Sequence, residues 1–346
     1  MDSTLKPRTI GELAARLGVS PMTIHRAIAG KPDISPKTRT RILDEIERLG
    51  WRPNIAARGL RQGKTFTIGI LVTNVAASFL PEILQSVNRR AEELGSHTLV
   101  CVHDNEVARA EQHLKTLHSK GVDGIVYYPA GGEDPQLLNQ IHRTTPIVTI
   151  MREVEGFNGR SVMIDDRLGG RLAAEHLLRL GHRRVGFLGY RDSPFSTFRR
   201  EGYAEALRAA GVSLPPKWTV EELVPGDAVA VLAAERLLAG SERPTALFCA
   251  SDRLAARTIQ AAASLGLRVP ADLSVIGFNG DAWGALLTPP LTTVVQPRAQ
   301  VGERAARIVL GLETGESERS ILEPWLVERA STGTTETIEL PLVSRI

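Results

Sequence analysis

From residue 65 onward, short apolar runs alternate with amphipathic stretches, and this alternation restricts the possible folds more than any other feature of the chain. The apolar runs have the length of strands and predict buried strands over residues 67–75, 98–103, 124–128, 147–151, 161–165, 185–190, 246–250, 275–279 and 293–296. Helical spacing of apolar residues predicts helices over residues 80–94, 109–120, 170–180, 199–210, 227–239, 254–265 and 301–312. Such an alternation is typical of parallel, doubly wound sheets covered on both faces.

The length of this region predicts two sheets. About 280 residues exceed one comfortable hydrophobic core, so we expect two similar lobes that face a cleft. In sheets of this kind, ligands bind at the carboxyl ends of the strands, where side chains from both lobes converge. The predicted fold class is therefore α/β.

The first 28 residues predict two short helices joined by a tight turn. Gly18 is suited to end the first helix, because the left-handed conformation costs glycine least. Ser20 is a good N-cap for the second helix, and Pro21 fits its first position. This pattern is that of a helix-turn-helix, whose second helix has the size to enter the major groove of DNA. The alternative is a helical hairpin without a role in DNA binding.

A third helix and the distribution of charge support the DNA-binding interpretation. Ser35 and Gly50 predict the start and the end of the third helix, which closes a three-helix core. Residues 1–64 contain thirteen Lys and Arg against six Asp and Glu, whereas the net charge of the whole chain is only +3. The basic excess therefore lies entirely in the helical N-terminal part, as phosphate contact requires.

The segment that follows, residues 54–62, predicts only a short helix. Asn54 is able to cap it, Gly59 weakens it and Gly63 ends it. A helix this short is not stable by itself, so we expect it to fold only when another surface packs against it.

Other classes of protein are disfavoured by what the sequence lacks. No apolar run reaches the ~18–20 residues of a membrane span, and the first eight residues lack the apolar region of a secretory signal. We therefore expect a cytoplasmic protein, and not a periplasmic binding protein or a membrane protein. Cys101 and Cys249 lie in predicted strands and are expected to be reduced core thiols. No Cys/His cluster has metal-ligand spacing, so neither a metal nor a cofactor is expected.

Four carboxylates make an enzyme the next alternative. α/β enzymes place catalytic carboxylates just after strands, which is where the sequence has Asp165, Asp166, Asp252 and Asp281. No nucleophile elbow, phosphate loop or metal motif accompanies them. We interpret them as acceptors for ligand hydroxyls or as strand-end caps, and we predict that the protein is not an enzyme.

Several motifs occur in one order along the chain. Val19-Ser20 precedes the second helix, a Pro-Asn-Xaa-Ala-Ala-Arg-Xaa-Leu linker spans residues 53–60, and Thr-Ile-Gly-Ile-Leu-Val follows at residues 67–72. Further motifs occupy residues 169–178, 180–189, 249–252, 275–279 and 290–297. In this order and spacing, the motifs resemble those of the lactose/galactose repressor family of bacterial transcriptional regulators, and the resemblance covers nearly the whole chain.

The resemblance implies three parts. Residues 1–53 are expected to form the helix-turn-helix domain and residues 54–65 a hinge helix or linker. Residues 66–346 are expected to form a two-lobed core like that of periplasmic binding proteins, which binds the effector and dimerises. The first lobe would comprise about 66–164 and 297–324, and the second about 165–296 and 325–346.

The implied function is that of a ligand-responsive transcriptional regulator, most simply a repressor. It would bind a palindromic double-stranded DNA operator as a homodimer, since one recognition helix covers only a few base pairs. Residues 336–346 have no leucine-zipper heptads, so a tetramer is not indicated. The expected effector is a sugar or a sugar derivative. The alternatives are a purine or nucleoside co-repressor, and an architectural DNA-binding protein without an effector.

Specific DNA-binding residues follow from the resemblance. It assigns operator choice to Pro21 and Met22, whose contacts would be apolar, for example with a thymine methyl group. Arg26 is the strongest candidate to bind a base, guanine, with phosphate as the alternative. Leu60 would wedge into the minor groove beside Ala57, or else pack between the linkers of a dimer. The contact of His25 stays open, because the family commonly has Ser there. Phosphate or sugar contacts are expected at Thr9, Ser20, Thr23 and Asn54, with a structural cap as the equal alternative for Ser20.

The resemblance also places an effector pocket between the lobes. Arg199 would fork onto hydroxyls or a carboxylate of the ligand, or else form a salt bridge at the start of a helix. Met151 and Asn279 stand where the family often has aspartate, so a direct copy of a known ligand is in doubt. Trp283 is expected to stack on a sugar ring or to pack on its own loop. The predicted contacts are Asn74, Phe79, Arg152, Asp165, Arg199, Ser251, Asp252, Asn279, Trp283 and Gln296.

Overall fold

The computed structural model describes residues 7, 9–51, 63–75, 78–223, 227–240, 242–313 and 319–335. The chain divides into two compact units, Met1–Phe66 and Thr67–Ile346. Within the described residues, no helix is both long enough and apolar enough to cross a membrane.

Among the residues that the structure describes, the first unit contains three helices, α1 (Ile10–Leu17), α2 (Pro21–Ile28) and α3 (Pro36–Leu49). Each begins at a hydroxyl side chain that accepts a hydrogen bond from a backbone N–H three residues later, and these N-caps are Thr9, Ser20 and Ser35. Gly18 and Gly50 end α1 and α3 in the left-handed conformation, as the sequence predicts. The core of this unit is formed by Leu13, Ala14, Ile24, Ala27, Ile42, Leu49 and Trp51.

The second unit contains the alternating strands and helices. The strands are β1 (Thr67–Val72), β2 (His97–Val102), β3 (Gly124–Tyr127), β4 (Ile147–Ile150), β5 (Arg160–Ile164), β6 (Val185–Tyr190), β7 (Thr219–Leu223), β8 (Ala246–Cys249), β9 (Ser274–Asn279), β10 (Thr292–Val295), β11 (Arg319–Leu322) and β12 (Trp325–Val327). The helices are α4 (Leu80–Glu93), α5 (Val107–Ser119), α6 (Pro135–His142), α7 (Asp166–Arg179), α8 (Pro194–Ala209), α9 (Asp227–Leu238), α10 (Asp252–Ser264) and α11 (Arg298–Val309).

These strands form two six-stranded sheets. The first has the order β11-β5-β4-β3-β1-β2 and is parallel throughout. The second has the order β12-β10-β9-β8-β6-β7, and its β12 is antiparallel to β10. The prediction of two doubly wound parallel sheets is confirmed, and each sheet with its helices is called a lobe below.

Three strands and one helix were missed by the sequence prediction. β7, β11 and β12 are the outermost strands of their sheets, so fewer of their side chains have to be apolar than in the inner strands. β7 accordingly reads Thr-Val-Glu-Glu-Leu, and β11 alternates in burial, so neither is a continuous apolar run. The missed helix, α6, has only eight residues.

One prediction about the cysteines is wrong. Cys101 was expected to be a core thiol, but it lies on the edge strand β2 and is only half-buried, whereas Cys249 is fully buried as expected.

Over the described residues, the chain passes between the lobes three times. It leaves the first sheet after β5, returns from β10 into α11, and crosses again between β11 and β12. α7 packs against α8 in the second lobe, and α11 packs against α4 in the first. At each crossing the chain runs directly from one lobe into the other. Because there are several crossings, parts of the chain that are far apart in the sequence lie at the same edge of the cleft.

Candidate functional site

The exposed face of α2 is the candidate DNA-binding surface of the first unit. Ile24 and Ala27 of this helix are buried in the three-helix core, whereas Pro21, Met22, His25 and Arg26 are exposed. Met22 is 58% exposed, which is unusual for so large an apolar side chain.

Two of the predicted phosphate contacts have a structural role. Thr9 Oγ1 accepts the Glu12 N–H and Ser20 Oγ accepts the Thr23 N–H, so both hydroxyls cap helices. Ser20 Oγ also lies 2.9 Å from Thr23 Oγ1. The hinge residues Asn54, Ala57 and Leu60 lie outside the described residues.

Arg26 is oriented by a weak ion pair. Its Nη1 lies 3.3 Å from Asp33 Oδ2, and both side chains are about half exposed. An exposed pair of this kind contributes little to stability. The guanidinium group is therefore able to exchange Asp33 for a base or a phosphate at small cost.

The second unit has a cavity of about 630 Å³ between its lobes. Its wall combines residues that follow strands of the first sheet with residues that follow strands of the second sheet. Six of the predicted contacts lie in this wall: Phe79, Arg199, Ser251, Asn279, Trp283 and Gln296. The volume is in the range of small-molecule sites.

Arg199 is a buried group of this wall with several partners. Its Nε donates to Asp166 Oδ1 at 2.7 Å and its Nη1 donates to the Ala250 carbonyl at 2.6 Å. The guanidinium also lies 3.6 Å from the centre of the Phe278 ring. Burial raises the pKa of Asp166, and the charge of Arg199 opposes this shift. Arg199 thus lies in the cavity wall, as one prediction has it, and also forms an ion pair, as the alternative has it. The partner in this pair is Asp166, the first residue of α7.

Two glycines make this arrangement possible. A Cβ atom on Gly170 of α7 would collide with the carbonyl of Arg199 on α8. A Cβ atom on Gly202 of α8 would collide with the carbonyl of Arg167 on α7. The two helices therefore pack backbone to backbone, and this close approach positions Arg199 against Asp166.

Aromatic rings form one side of the cavity. The rings of Phe79 and Tyr128 lie 5.8 Å apart, and Phe195 also lines the wall. Arg152 is not in the wall, since its guanidinium lies over the Phe195 ring at 5.5 Å and donates to the Ala130 carbonyl. Arg152 therefore supports the aromatic side of the cavity from behind.

Polar groups and strained backbone face the same cavity. Gln296 is 3% exposed, and its Oε1 has no hydrogen-bond partner within the described part of the chain. The Tyr190 hydroxyl lies 2.9 Å from Ser251 Oγ. Met151 and Asn279 have φ values of +64° and +122°, a conformation that costs energy in residues other than glycine. Strain of this kind is common where side chains must be aimed at a ligand.

Three predicted contacts, besides Arg152, are not in the cavity wall. Asp165 caps α7 by accepting the Leu168 N–H at 2.8 Å. Asp252 is fully buried and accepts hydrogen bonds from the Thr293 hydroxyl and the Asp281 N–H. Asn74, after β1, also lies outside the wall.

The wall contains residues that sequence reasoning missed. Some lie at the carboxyl ends of strands, since Tyr128 follows β3 and Tyr190 is the last residue of β6, and that position was an available signal. Others lie on the first turns of helices that begin at the cleft. The missed residues are Ser78, Tyr128, Tyr190, Ser193, Phe195, Ser196, Ala250, Arg253, Ala256 and Arg257.

A helix-turn-helix unit followed by a two-lobed core with an interlobe cavity defines a ligand-binding transcriptional regulator. Comparison with known proteins agrees. Residues 9–54 match the family described as bacterial regulatory proteins, lacI family, and residues 174–332 match the periplasmic binding protein-like domain. The chain belongs to the lacI family of bacterial regulatory proteins.

Similar proteins span nearly the whole chain. The ribose operon repressor of Haemophilus influenzae is 31% identical over 327 residues, which are 93% of this chain and 98% of that protein. The repressor PurR of Haemophilus influenzae is 32% identical over 315 residues, 90% of this chain and 92% of that protein. These relatives are transcriptional repressors and not enzymes, so the prediction of a non-enzymatic regulator is confirmed.

Solved structures show the same architecture. The lac repressor dimer bound to operator and the anti-inducer ONPF matches with a TM-score of 0.80 at 24% identity, over 95% of this chain and 100% of that one. The complex of the transcriptional regulator CelR with cellobiose matches with a TM-score of 0.69 at 28% identity, over 94% of this chain and 100% of that one. The prediction of a helix-turn-helix domain joined to a periplasmic-binding-protein-like core is confirmed.

Proposed function

We propose that this repressor acts in the cytoplasm as a homodimer on a palindromic operator, and that a sugar or sugar derivative bound between its lobes sets its operator affinity. The observation that supports this most is the cavity, because its wall has Phe79 and Tyr128 on one lobe and Tyr190 and Asn279 on the other. A ligand that contacts both lobes binds differently to their open and closed arrangements, and such a difference in affinity is what shifts a conformational equilibrium.

The chemistry of the cavity wall suits a polyhydroxylated ligand. Hydroxyl, amide and guanidinium groups are available to hydrogen-bond sugar hydroxyls, and Gln296 supplies a buried acceptor without a partner among the described residues. Aromatic rings such as Trp283 offer apolar faces to a sugar ring. Relatives named for ribose and a structural neighbour in complex with cellobiose support the same class of ligand.

A purine is the second candidate. The rings of Phe79, Tyr128 and Phe195 would be able to stack on a base, and the relative PurR is 32% identical. The two candidates differ in the groups they present, because a sugar offers many hydroxyls and a free base offers few.

The homodimer is supported by an exposed apolar edge. β2 is the outer strand of the first sheet, yet Leu99 and Val100 on this strand are 37% and 43% exposed. Leu94, just before β2, is also exposed. Exposed apolar groups on an unpaired edge favour association with another chain.

The test begins with selection of the operator from random DNA by the full chain. Operator affinity is then measured by fluorescence anisotropy with and without saturating sugars, sugar phosphates, sugar acids and purines. We expect one class to change operator affinity by at least tenfold, which is the usual range of allosteric coupling. The proposal is wrong if no small molecule alters operator affinity, or if sedimentation shows a monomer on a single half-site.

Arg199→Lys connects the response to the cavity. This variant keeps a positive charge near Asp166 but loses the planar fork that contacts Asp166 and Ala250. We expect weaker effector binding with near-normal operator binding by the ligand-free variant, if the ligand is an inducer. A full response in this variant would remove Arg199 from the effector site.

A further inference from the structure

We propose that Arg298 is a positioning residue of the effector cavity, which holds one turn of the cavity wall and couples that turn to the first lobe. Arg298 is not among the described residues that line the cavity, and no sequence pattern pointed to it. Its guanidinium group bonds both lobes. The inference rests on the proposed effector role of the cavity.

The turn over residues 279–281 carries two groups of the cavity wall, Asn279 and Asp281. Arg298 Nη2 donates to the Asn279 carbonyl at 2.6 Å and to Asp281 Oδ1 at 2.7 Å, so one nitrogen holds both ends of the turn. Asn279 has a φ of +122°, a conformation that costs energy outside glycine and persists only where surrounding bonds hold it. Arg298 supplies two of the bonds that hold this turn.

The backbone of Arg298 belongs to the first lobe. Arg298 is the first residue of α11, and α11 packs on α4. A Cβ atom on Gly302 of α11 would collide with the Ile83 carbonyl and the Ser86 hydroxyl of α4, so the two helices pack closely and have little room to slide. The side chain of Arg298 thus reaches from a tightly packed helix of the first lobe to a turn of the second lobe.

Ser78 of the first lobe makes a second link to the same turn. Its hydroxyl donates to Asp281 Oδ2 at 2.8 Å, and its carbonyl accepts from Arg298 Nη1 at 3.4 Å. The Asp281 N–H donates to Asp252 Oδ2 at 2.6 Å, which ties Asp281 to α10 of the second lobe. We call Ser78, Asp281 and Arg298 the interlobe junction. The lobes can move apart at this point only if the bonds of the junction break.

The junction lies where a bound compound would touch it. Ser78 and Asp281 line the effector cavity on one side and a second cleft on the other. Buried charges that lose their partner are costly, so the junction favours two discrete states, intact or separated. A compound that binds Asn279 or Asp281 contacts groups whose positions differ between these states. Such a difference in affinity is what shifts a conformational equilibrium.

The first experiment measures the distance between the lobes in the ligand-free full chain. Spin labels are placed at two exposed helical sites, Gln140 of α6 and Glu175 of α7. The background is Cys101→Ser, because Cys249 is fully buried and Cys101 is not. Unlabelled protein is added in excess, so that each dimer carries one labelled chain. The distance distribution is then recorded by double electron–electron resonance.

The variant is Arg298→Lys, which keeps the positive charge beside Asp281 but loses the planar fork that bonds three acceptors. We expect one dominant distance in the native protein, and a second, longer distance in at least ~10% of the variant molecules. Arg200→Lys is the matched control, since Arg200 Nε donates to Glu221 Oε1 at 2.7 Å within the second lobe. A mixture of distances already present in the native protein, or one unchanged distance in Arg298→Lys, would overturn the inference.

Ser78 gives a milder variant in which no buried charge is left alone. Ser78→Ala should also add the longer distance, and Ser78→Thr, which keeps the hydroxyl, should restore the native distribution. Ser264→Ala is the control, because the Ser264 hydroxyl donates to Glu235 Oε1 at 2.7 Å within the second lobe. Loss of general stability alone would affect Ser78→Ala and Ser264→Ala alike, and that result would contradict a specific role of the junction.

The second experiment connects the junction to DNA binding. Operator affinity of the native protein and of Arg298→Lys is measured by anisotropy, with the sugars, sugar phosphates, sugar acids and purines named above as probes. A probe that changes native operator affinity by roughly tenfold should change that of Arg298→Lys by less than about threefold. If a probe acts equally on both proteins, the proposed function stands and the coupling through Arg298 is wrong. If no probe acts on the native protein, the proposed function is wrong and the coupling with it, even where the distances show an intact junction.

Discussion

Asp281 and Arg298 form a buried ion pair that joins the two lobes at the edge of the cavity. Their Oδ1 and Nη2 atoms are 2.7 Å apart, and the two side chains are 3% and 5% exposed. Asp281 follows β9 of the second sheet, whereas Arg298 begins α11, which packs on the first lobe. Ser78, which follows β1, donates its hydroxyl to Asp281 Oδ2 at 2.8 Å. A change in the angle between the lobes must therefore lengthen or break these bonds.

Replacement of Arg298 is expected to destabilise the core strongly. Arg298→Met leaves the Asp281 carboxylate buried without its cation, and loss of one partner of a buried pair typically costs ~3–5 kcal/mol. The free energy of unfolding of the second unit, measured in urea, should fall by about this amount. Lys217→Met is the matched control, because Lys217 and Glu242 form an exposed pair at 2.8 Å whose loss should cost less than ~1 kcal/mol. Equal small losses in both variants would show that the buried pair contributes no more than a surface pair.

Gly170→Ala tests the close packing of α7 on α8. The added methyl group has no space beside the Arg199 carbonyl, so the helices must move apart. Overpacking of this kind costs ~1–3 kcal/mol, and the displaced Arg199 should bind effector more weakly. Gly11→Ala is the control, since a Cβ atom there makes only an ordinary contact with Thr9 and alanine favours a helix by up to ~1 kcal/mol. A stable Gly170→Ala protein with unchanged effector affinity would contradict this account of the site.

Arg26→Ala tests the DNA-binding surface. If Arg26 contacts a guanine, its loss should cost ~1–3 kcal/mol of operator affinity and relax specificity at one base pair in each half-site. Binding to random DNA should change little. The measurement is anisotropy on the selected operator, on single-base variants of it and on random DNA at one salt concentration. Equal weakening on all of these would identify Arg26 as a phosphate contact.

Asp252 predicts a specific dependence of stability on pH. Burial raises its pKa from 3.8 to about 6, although the hydrogen bonds from Thr293 and the Asp281 N–H oppose the shift. Because the folded state holds this proton more tightly than the unfolded state, the contribution of Asp252 is fully present below pH 3.8. It is lost as pH rises through about 6.

The variant Asp252→Asn isolates this effect. Between pH 4 and 7, the unfolding free energy of the native protein, relative to that of the variant, should fall by about 2–3 kcal/mol. The measurement is urea unfolding of both proteins at several pH values in this range. A difference between them that is constant with pH would show that Asp252 titrates as it does in the unfolded chain.

Much of the local structure could be predicted from the sequence. The caps at Ser20 and Ser35 begin the second and third N-terminal helices as predicted, because a side-chain oxygen three residues before a backbone N–H forms its bond locally, whereas the cap at Thr9 was not predicted. The inner strands of both sheets are continuous apolar runs, since they are buried on both faces. The edge strands β7 and β11 were missed because they are less covered by neighbouring elements, and their sequences are therefore not continuous apolar runs.

The cavity was only partly predictable. The sequence and its family resemblance indicated that polar residues after strands would meet Arg199 at a cleft, and Ser251 and Gln296 do lie with Arg199 of α8 in the cavity wall. Asp165 and Asp252 occupy equivalent positions in the sequence, yet they bond the Leu168 N–H and Thr293. At a strand end, a side chain turns toward the cavity or back into its own lobe according to the donors that neighbouring elements provide.

The sequence by itself thus determined the described helices other than α6, the inner strands, the class of fold and the family. Each of these depends on the spacing of residues along the chain. The tertiary structure alone decided the ion pairs of Asp166 with Arg199 and of Asp281 with Arg298, and it brought Arg253 and Arg257 to the same cavity as Tyr128. These contacts join residues from different elements, and their geometry depends on how closely the helices pack and on where the chain crosses between lobes.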